Sequence, residues 1–368
     1  MTRAGVEIEV SVREDVPPWL AYGTPVVTVL AALGVCGVAL AALGVNPVAA
    51  YERMFIETAL TGFERTRTLV TAVPLALTGL AVYLPLRAGL WNIGAEGQLY
   101  LGAVVGTWIG LNVSTTAVVL VPLAVLGGAV AGAVWGLVPG YLRARRGVNE
   151  IIATLMLTFV GIELTNYLLA GPMSGSGNVA VTRELPGAAR LPTVSLPLFD
   201  PLHAGVVVAV ASVVLVRLLV RRTRFGYEVV VTGSNPDAAR QSGIDTGWIY
   251  VAVLALGGAL AGAAGAIEIA GEQGRLQAEF SPGYGFTAIP IALLGRRGAG
   301  RVGLAALFFA LLFVGGSGME FAFDVPAEIV EVIQALVVLF LITAEFFKRY
   351  RIDVRRAAPG PDASGGGG

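Results

Sequence analysis

Long apolar runs divide this chain, near residues 24–45, 69–87, 90–111, 116–141, 149–170, 203–220, 248–270, 276–295, 302–320 and 328–347. A run of roughly 20 apolar residues coiled as an α-helix matches the hydrocarbon thickness of a bilayer. A chain in lipid must also satisfy its backbone hydrogen bonds internally, which leaves few folds open to it. The predicted fold class is all-α: a polytopic integral membrane protein with about ten transmembrane helices. Composition agrees, because 55% of residues are hydrophobic and 14% charged, more apolar surface than one water-soluble core encloses. The 49 glycines fit the same picture, since small residues let membrane helices approach closely. Two runs are interrupted, the third by Gly94, Glu96, Gly97 and Gln98 and the eighth by Ser281, Pro282, Gly283 and Gly285. Broken or re-entrant segments are expected there, enclosed by protein or a water-filled cavity.

Charge orients the spans. Arg53, Arg65, Arg67, Arg183, Arg190 and Arg275 fall on outer segments, which leaves 19 of the 25 basic residues on inner loops and tails. That positive-inside bias predicts an even number of spans in the cell membrane with both termini cytoplasmic. Residues 1–23 read as a cytoplasmic N-terminal segment without the pattern of a cleaved signal. Residues 24–347 read as the transmembrane domain, with 171–202 as its largest outer loop, and 348–368 as a cytoplasmic, largely disordered tail.

Several chemistries are excluded. The one lysine, Lys348, follows no glycine, so there is no phosphate-cradling G-x-x-x-x-G-K-[ST] loop and no ATP hydrolysis by that route. The one histidine, His203, belongs to no H-E-x-x-H helix, and no aspartate lies within a predicted span, so neither a metalloprotease nor an aspartyl intramembrane protease is expected. Cys36 stands alone in an apolar run, which rules out a disulfide framework and reads as a packing residue. No catalytic or metal site is expected.

Five acids do fall within or at the ends of spans: Glu96, Glu150, Glu163, Glu268 and Glu331. An ionisable group at membrane depth costs ~2.5–3.5 kcal/mol on insertion scales, so it should face a bundle interior or an aqueous path. Glu96 sits with Asn92 and Gln98 among glycines, and both helix packing and pathway lining fit it. Glu150 follows Asn149 at a span start, and both join Asn92, Glu96 and Gln98 as pathway candidates, although a first-turn acid that complements the helix dipole is the preferred reading of Glu150. Glu163, Glu268 and Glu331 stand among apolar or small neighbours and read as interhelical hydrogen-bonding partners. Asn92, Gln98 and Asn149 could bind hydroxyls or base edges, and no cation lies in the spans to hold an anion, which favours a neutral polar solute.

One inner loop is unusual. Gly233–Ile244 reads GSNPDAARQSGI and lies beside Arg217, Arg221, Arg222 and Arg224. The segment from Asn235 to Gly243 predicts a short helix capped by Asn235 with Pro236 in its first turn. Ala238 and Ala239 would allow close seating in a partner's groove, and Arg240 could pair with an acid there.

These residues carry a resemblance. GLWNIGAEGQLYLGA at 89–103, NEIIATLMLTFVGIELTNYLLAGP at 149–172, GSNPDAARQSGI at 233–244 and GYGFTAIPIALLGRRGAGRVGLAALFF at 283–309 resemble permease subunits of ATP-binding-cassette importers. The match is to the branched-chain amino acid, ribose and nucleoside permease superfamily, closest to its simple-sugar and nucleoside branch, and it covers roughly residues 70–345. The resemblance implies a translocation subunit that is not itself an enzyme and carries no cofactor, with ATP and Mg on a partner ATPase that docks on 235–243. It also implies a second homologous permease subunit, in a heterodimer, and an extracytoplasmic solute-binding protein; no nucleic-acid partner is expected. The solute reads first as a nucleoside, alternatively as a simple sugar. A secondary carrier or channel is the remaining rival.

Overall fold

A computed structural model describes residues 6–12, 18–175, 179–196 and 199–356. In chain order it contains strand β1 (Val6–Val12), helix α1 (Pro18–Ala42), then α2 (Pro47–Tyr51), a π-helical turn (Glu52–Glu57) and α3 (Thr58–Leu60). Next come α4 (Gly62–Arg87), α5 (Ala95–Asn112), α6 (Ala117–Arg146) and α7 (Glu150–Ala170), then strands β2 (Thr193–Leu196) and β3 (Phe199–His203). The second half holds α8 (Gly205–Arg222), α9 (Arg224–Ser234), α10 (Pro236–Gln241) and α11 (Thr246–Glu268), the last running into a π-helical turn (Ile269–Gln273). It ends with α12 (Tyr284–Leu294), α13 (Ala299–Phe323), α14 (Ala327–Arg349) and strand β4 (Tyr350–Arg356). The described chain forms two compact units, Ala49–Val325 and the segments on either side of it.

Every predicted apolar run overlaps a helix. Among the described residues, α4, α6, α7, α11 with its π turn, and α13 are long and apolar enough to cross a bilayer, so five of the expected spans appear as full-length apolar helices, beside shorter apolar ones. The interrupted runs are shortened as their glycines suggested. The third starts at Ala95 instead of 90, and the eighth is reduced to the 11 residues of α12. The broken helix at 47–60, the β2–β3 hairpin and α9 lie outside any predicted run.

In the smaller unit α1 packs along α14. Ala32, Cys36 and Leu40 are buried at four-residue spacing on α1, and Val330, Ile333, Val337 and Ala344 are buried at spacings of three, four and seven on α14, one face of each helix. β1 pairs antiparallel with β4, from Val6 opposite Arg356 to Val12 opposite Tyr350. Regular structure therefore runs to Arg356, beyond residue 348 where a largely disordered tail was expected. Both segments alternate apolar and polar residues, the period of a strand. Residues 357–368 lie outside the described residues.

The larger unit is built around α4, whose residues from Val73 to Pro85 are all buried and which packs against α11, α12 and α13. Beside it α5, α6 and α11 pack backbone to backbone. Gly128, Gly132, Gly136 and Gly140 form a ridge along α6 at four-residue spacing, and it meets Gly258 and Gly262 of α11. A Cβ on Gly132 would run into the Gly258 carbonyl oxygen, and one on Gly102 of α5 into that of Gly262. Dispersion between closely approaching backbones is what holds such helices together, because burial from lipid supplies little driving force. α6 stops at Gly147, whose φ of +64° suits a residue without a Cβ. Arg143, Arg145 and Arg146 fill its last turn and complement the carbonyl end of the dipole.

Candidate functional site

Two features of the larger unit hold most of the sequence-predicted residues: a polar joint inside the helix bundle and a helical knob between α9 and α11.

The joint begins with a proline. Pro85 has no N–H, so the carbonyl of Ala81, four residues earlier in α4, lacks its helical partner. Asn92 supplies one: its Nδ2 donates to the Ala81 oxygen at 3.1 Å. The Asn92 amide also exchanges hydrogen bonds with Gln98, 3.0 Å to Oε1 and 3.2 Å from Nε2. Both side chains are buried and face one another, so the geometry places them in the bundle interior. The non-helical stretch between α4 and α5 is fixed on its other side by α7, where Thr154 accepts from Ile93 N–H and Thr158 donates to the Ile93 carbonyl.

Glu96 opens the first turn of α5 and is 2% exposed. Its carboxylate accepts from the backbone N–H of Gly285, 189 residues away, in the first turn of α12. In the turn before α12 the Ser281 oxygen accepts from Gly283 and Tyr284 N–H at 3.2 Å. Gly283 gives α12 no side-chain cap, so Glu96 acts as that cap from another helix. Two helix N-termini thus converge on one carboxylate, the charge that both dipoles favour. Gly285 is required by the approach, because a Cβ there would strike the Glu96 backbone. Nearby, the Tyr100 and Phe280 rings lie 4.6 Å apart, and Gln273 joins Phe280 O at 2.8 Å to Glu268 at 3.4 Å. The glycine and serine break in the eighth run pointed to this place; its pairing with Glu96 carries no local signal in the sequence.

Glu96→Ala leaves the Gly285 N–H and the α12 terminus without an acceptor, at a cost of about 1–3 kcal/mol. Glu96→Gln keeps an acceptor oxygen there. We expect the alanine variant to lose thermal stability and membrane abundance, and the glutamine variant to retain most of both in a melting assay on the purified protein. Equal losses in the two would show that the charge, and not the cap, is what the joint needs.

The remaining predicted residues are placed as follows. Asn149 is exposed and caps α7, accepting from Ile151 N–H at 2.9 Å, and Glu150 pairs with Arg143 at 3.4 Å. Both sit at the turn between α6 and α7. Glu331 is exposed near the start of α14. Glu163, expected to bond another helix, instead faces outward from α7 and has no hydrogen-bond or ion-pair partner among the described residues.

The knob is α10 with its caps. Asn235 Oδ1 accepts from Asp237 and Ala238 N–H at 3.1 and 3.0 Å, and Pro236 occupies the first turn, as the sequence predicts. The helix ends at Gly243, φ +82°, with Gly243 N–H bonded to Arg240 O and Ile244 N–H to Ala239 O, both at 3.0 Å. That is a Schellman closure, and Ile244 then packs on a core of Leu84, Ala88, Leu90, Val229, Tyr250 and Val253. One expectation changes. Ala239 is fully buried against the protein's own core and so cannot reach a partner's groove, whereas Asn235, Asp237, Ala238, Gln241 and Ser242 form the exposed face. Arg240 is exposed but held within the chain, 2.8 Å from Asp237 and 3.1 Å from Thr246. Behind the knob, Gly233 at the end of α9 lies against Gly89, and a Cβ on it would strike the Arg87 carbonyl oxygen.

Known proteins resemble this chain in sequence. Residues 65–342 match the family described as branched-chain amino acid transport system / permease component. The chain is similar to the glucose ABC transporter permease protein TsgB13 of Haloferax volcanii, with 58% identity over 98% of both chains. It is also similar to two guanosine ABC transporter permease proteins of Bacillus subtilis. NupP is 32% identical over 75% of this chain and 80% of its own, and NupQ 25% identical over 70% and 84%. No solved structure matches. The family match over most of the chain and the apolar spans agree: this multi-pass membrane protein belongs to the branched-chain amino acid transport system permease family and is a permease subunit of an ATP-binding-cassette importer, not an enzyme.

Proposed function

We propose that the chain is one of two unlike permease subunits that import a neutral monosaccharide, with a separate ATPase seated on the exposed face of α10 and an extracytoplasmic protein delivering the solute. The single observation that carries the transport reading is α10 itself. A six-residue helix, capped at both ends and rooted through Ile244 on the core beneath α4, α9 and α11, is a rigid lever whose movement reaches the spans. Rooting continues through Gly233 and Gly89 to the stretch that carries Asn92 and leads to Glu96.

Substrate class rests on kinship. Identity of 58% along nearly the whole length of a glucose permease, against 32% for a guanosine permease, puts the sugar ahead of the nucleoside that the sequence motifs favoured first. Two guanosine permeases from one organism support a heterodimer. The basic-residue asymmetry supports cytoplasmic termini and an α10 that faces the same side as the ATPase.

The test is uptake by membrane vesicles holding the full importer, with ATP inside and labelled glucose or guanosine supplied with the binding protein. Saturable, ATP-dependent glucose accumulation is expected. Accumulation of guanosine alone would move the substrate to the nucleoside, and uptake that persists without the ATPase would favour a secondary carrier.

A further inference from the structure

α7 has two unlike faces. Thr154, Thr158, Gly161 and Thr165 are buried, and Gly161 lies against Gly97 of α5. The opposite face exposes Met156, Phe159, Val160, Glu163 and Tyr167. Glu163 stands seven residues before the end of the helix, roughly 10 Å from it at 1.5 Å per residue. A carboxylate on so short a stem does not reach back two turns to the surface, so in a bilayer this face would hold an acid in hydrocarbon.

Other outward faces do not have this problem. The exposed residues of α6 between 118 and 138 are Val118, Val119, Leu123, Leu126, Val130 and their like, and those of α8 before Arg217 are likewise apolar, among them Val207, Val210, Val214 and Leu215. Those surfaces suit lipid. Among the described residues of the five long apolar helices, α7 alone turns an acid outward away from its ends. What covers it must bring water or polar groups, and in the proposed importer of two unlike permease subunits the body available to cover it is the second permease subunit.

We propose that the α7 stripe Met156, Phe159, Glu163 and Tyr167 is one wall of a water-filled solute path, closed on its far side by the second permease subunit, with Glu163 accepting hydrogen bonds from hydroxyl groups of the passing solute. The inference rests on the proposed importer function. Its chemistry suits a neutral polyol: a carboxylate offers acceptors only, to match O–H donors, and aromatic faces cover the apolar C–H surface of a sugar ring. A hydrated path also explains why an unpartnered acid is tolerated at this depth.

The test uses single cysteines in a Cys36→Ala background, in the complete importer in membrane vesicles, with a charged, membrane-impermeant thiol reagent. Glu163→Cys and Tyr167→Cys are expected to react, and saturating solute with its binding protein to slow the reaction. Val130→Cys and Val134→Cys, on the lipid-like face of α6, are expected to stay inert. Glu163→Gln should raise the half-saturation of uptake about tenfold at equal abundance, with Glu163→Asp recovering part of it. Reaction at 163 no faster than at 130 overturns the path, as does Glu163→Gln uptake with unchanged half-saturation. If labelling at 163 is slowed by a nucleoside and not by a sugar, the path stands and the monosaccharide reading falls.

Discussion

Gly132→Leu is expected to abolish accumulation of folded protein in the membrane, whereas Gly34→Leu should leave it unchanged. At Gly132 the added Cβ meets the carbonyl oxygen of Gly258 and the backbone of Gly262, and neither can rotate away as a side chain would. Ordinary overpacking of a core costs about 1–3 kcal/mol, and a clash with backbone along a helix pair should exceed that because α6 must leave α11 altogether. Separation also loosens α5, since Gly102 packs on the same Gly262 residue. At Gly34 nothing lies within 4 Å of the position a Cβ would take, so a leucine adds apolar surface without displacing anything. Quantitative immunoblotting of membranes and size-exclusion profiles in mild detergent read both outcomes. A monodisperse Gly132→Leu protein at normal abundance would mean that α6 and α11 do not touch at this ridge.

The glycines illustrate what a sequence of this kind can and cannot disclose. Their number announced close helix packing, and their four-residue spacing on α6 marks one face, but nothing local names α11 as the partner. α10 was fully legible, because caps are local: Asn-Pro starts the helix and Gly243 stops it within nine residues. The direction of Ala239 was not legible, since two adjacent alanines on a short helix look alike until the core beneath is known. Glu163 was misread for a related reason. In a soluble protein the apolar face of a helix is the buried one, but lipid and bundle interior are both apolar, so the pattern along α7 does not say which face is covered. The Asn92 contact was half legible: Pro85 announces an orphaned carbonyl at Ala81 but does not choose its donor. Pairings across the chain, Glu96 with Gly285 and β1 with β4, have no local signal at all.

The same two alanines provide the sharpest test of coupling. Ala238 is exposed on the outer face of α10, and Ala239 is fully buried beneath it. Ala239→Glu would place an unpaired carboxylate in the core that roots the knob, at a cost of about several kcal/mol, and should reduce folded protein before any partner is met. Ala238→Glu leaves that core intact, so abundance should be normal while co-purification of the ATPase and ATP-dependent uptake fall at least tenfold, about 1.4 kcal/mol of lost contact. Arg240→Glu is expected to be milder than either. It sets a second acid beside Asp237 and loses the bond to Thr246, but the side chains of residues 237 and 240 are both exposed to solvent. The comparison is made at equal permease abundance, with the partner ATPase tagged for purification. Should Ala238→Glu hold the ATPase as well as the unaltered protein does, the exposed face of α10 is not the seat, and the lever would have to be driven from elsewhere on the inner surface.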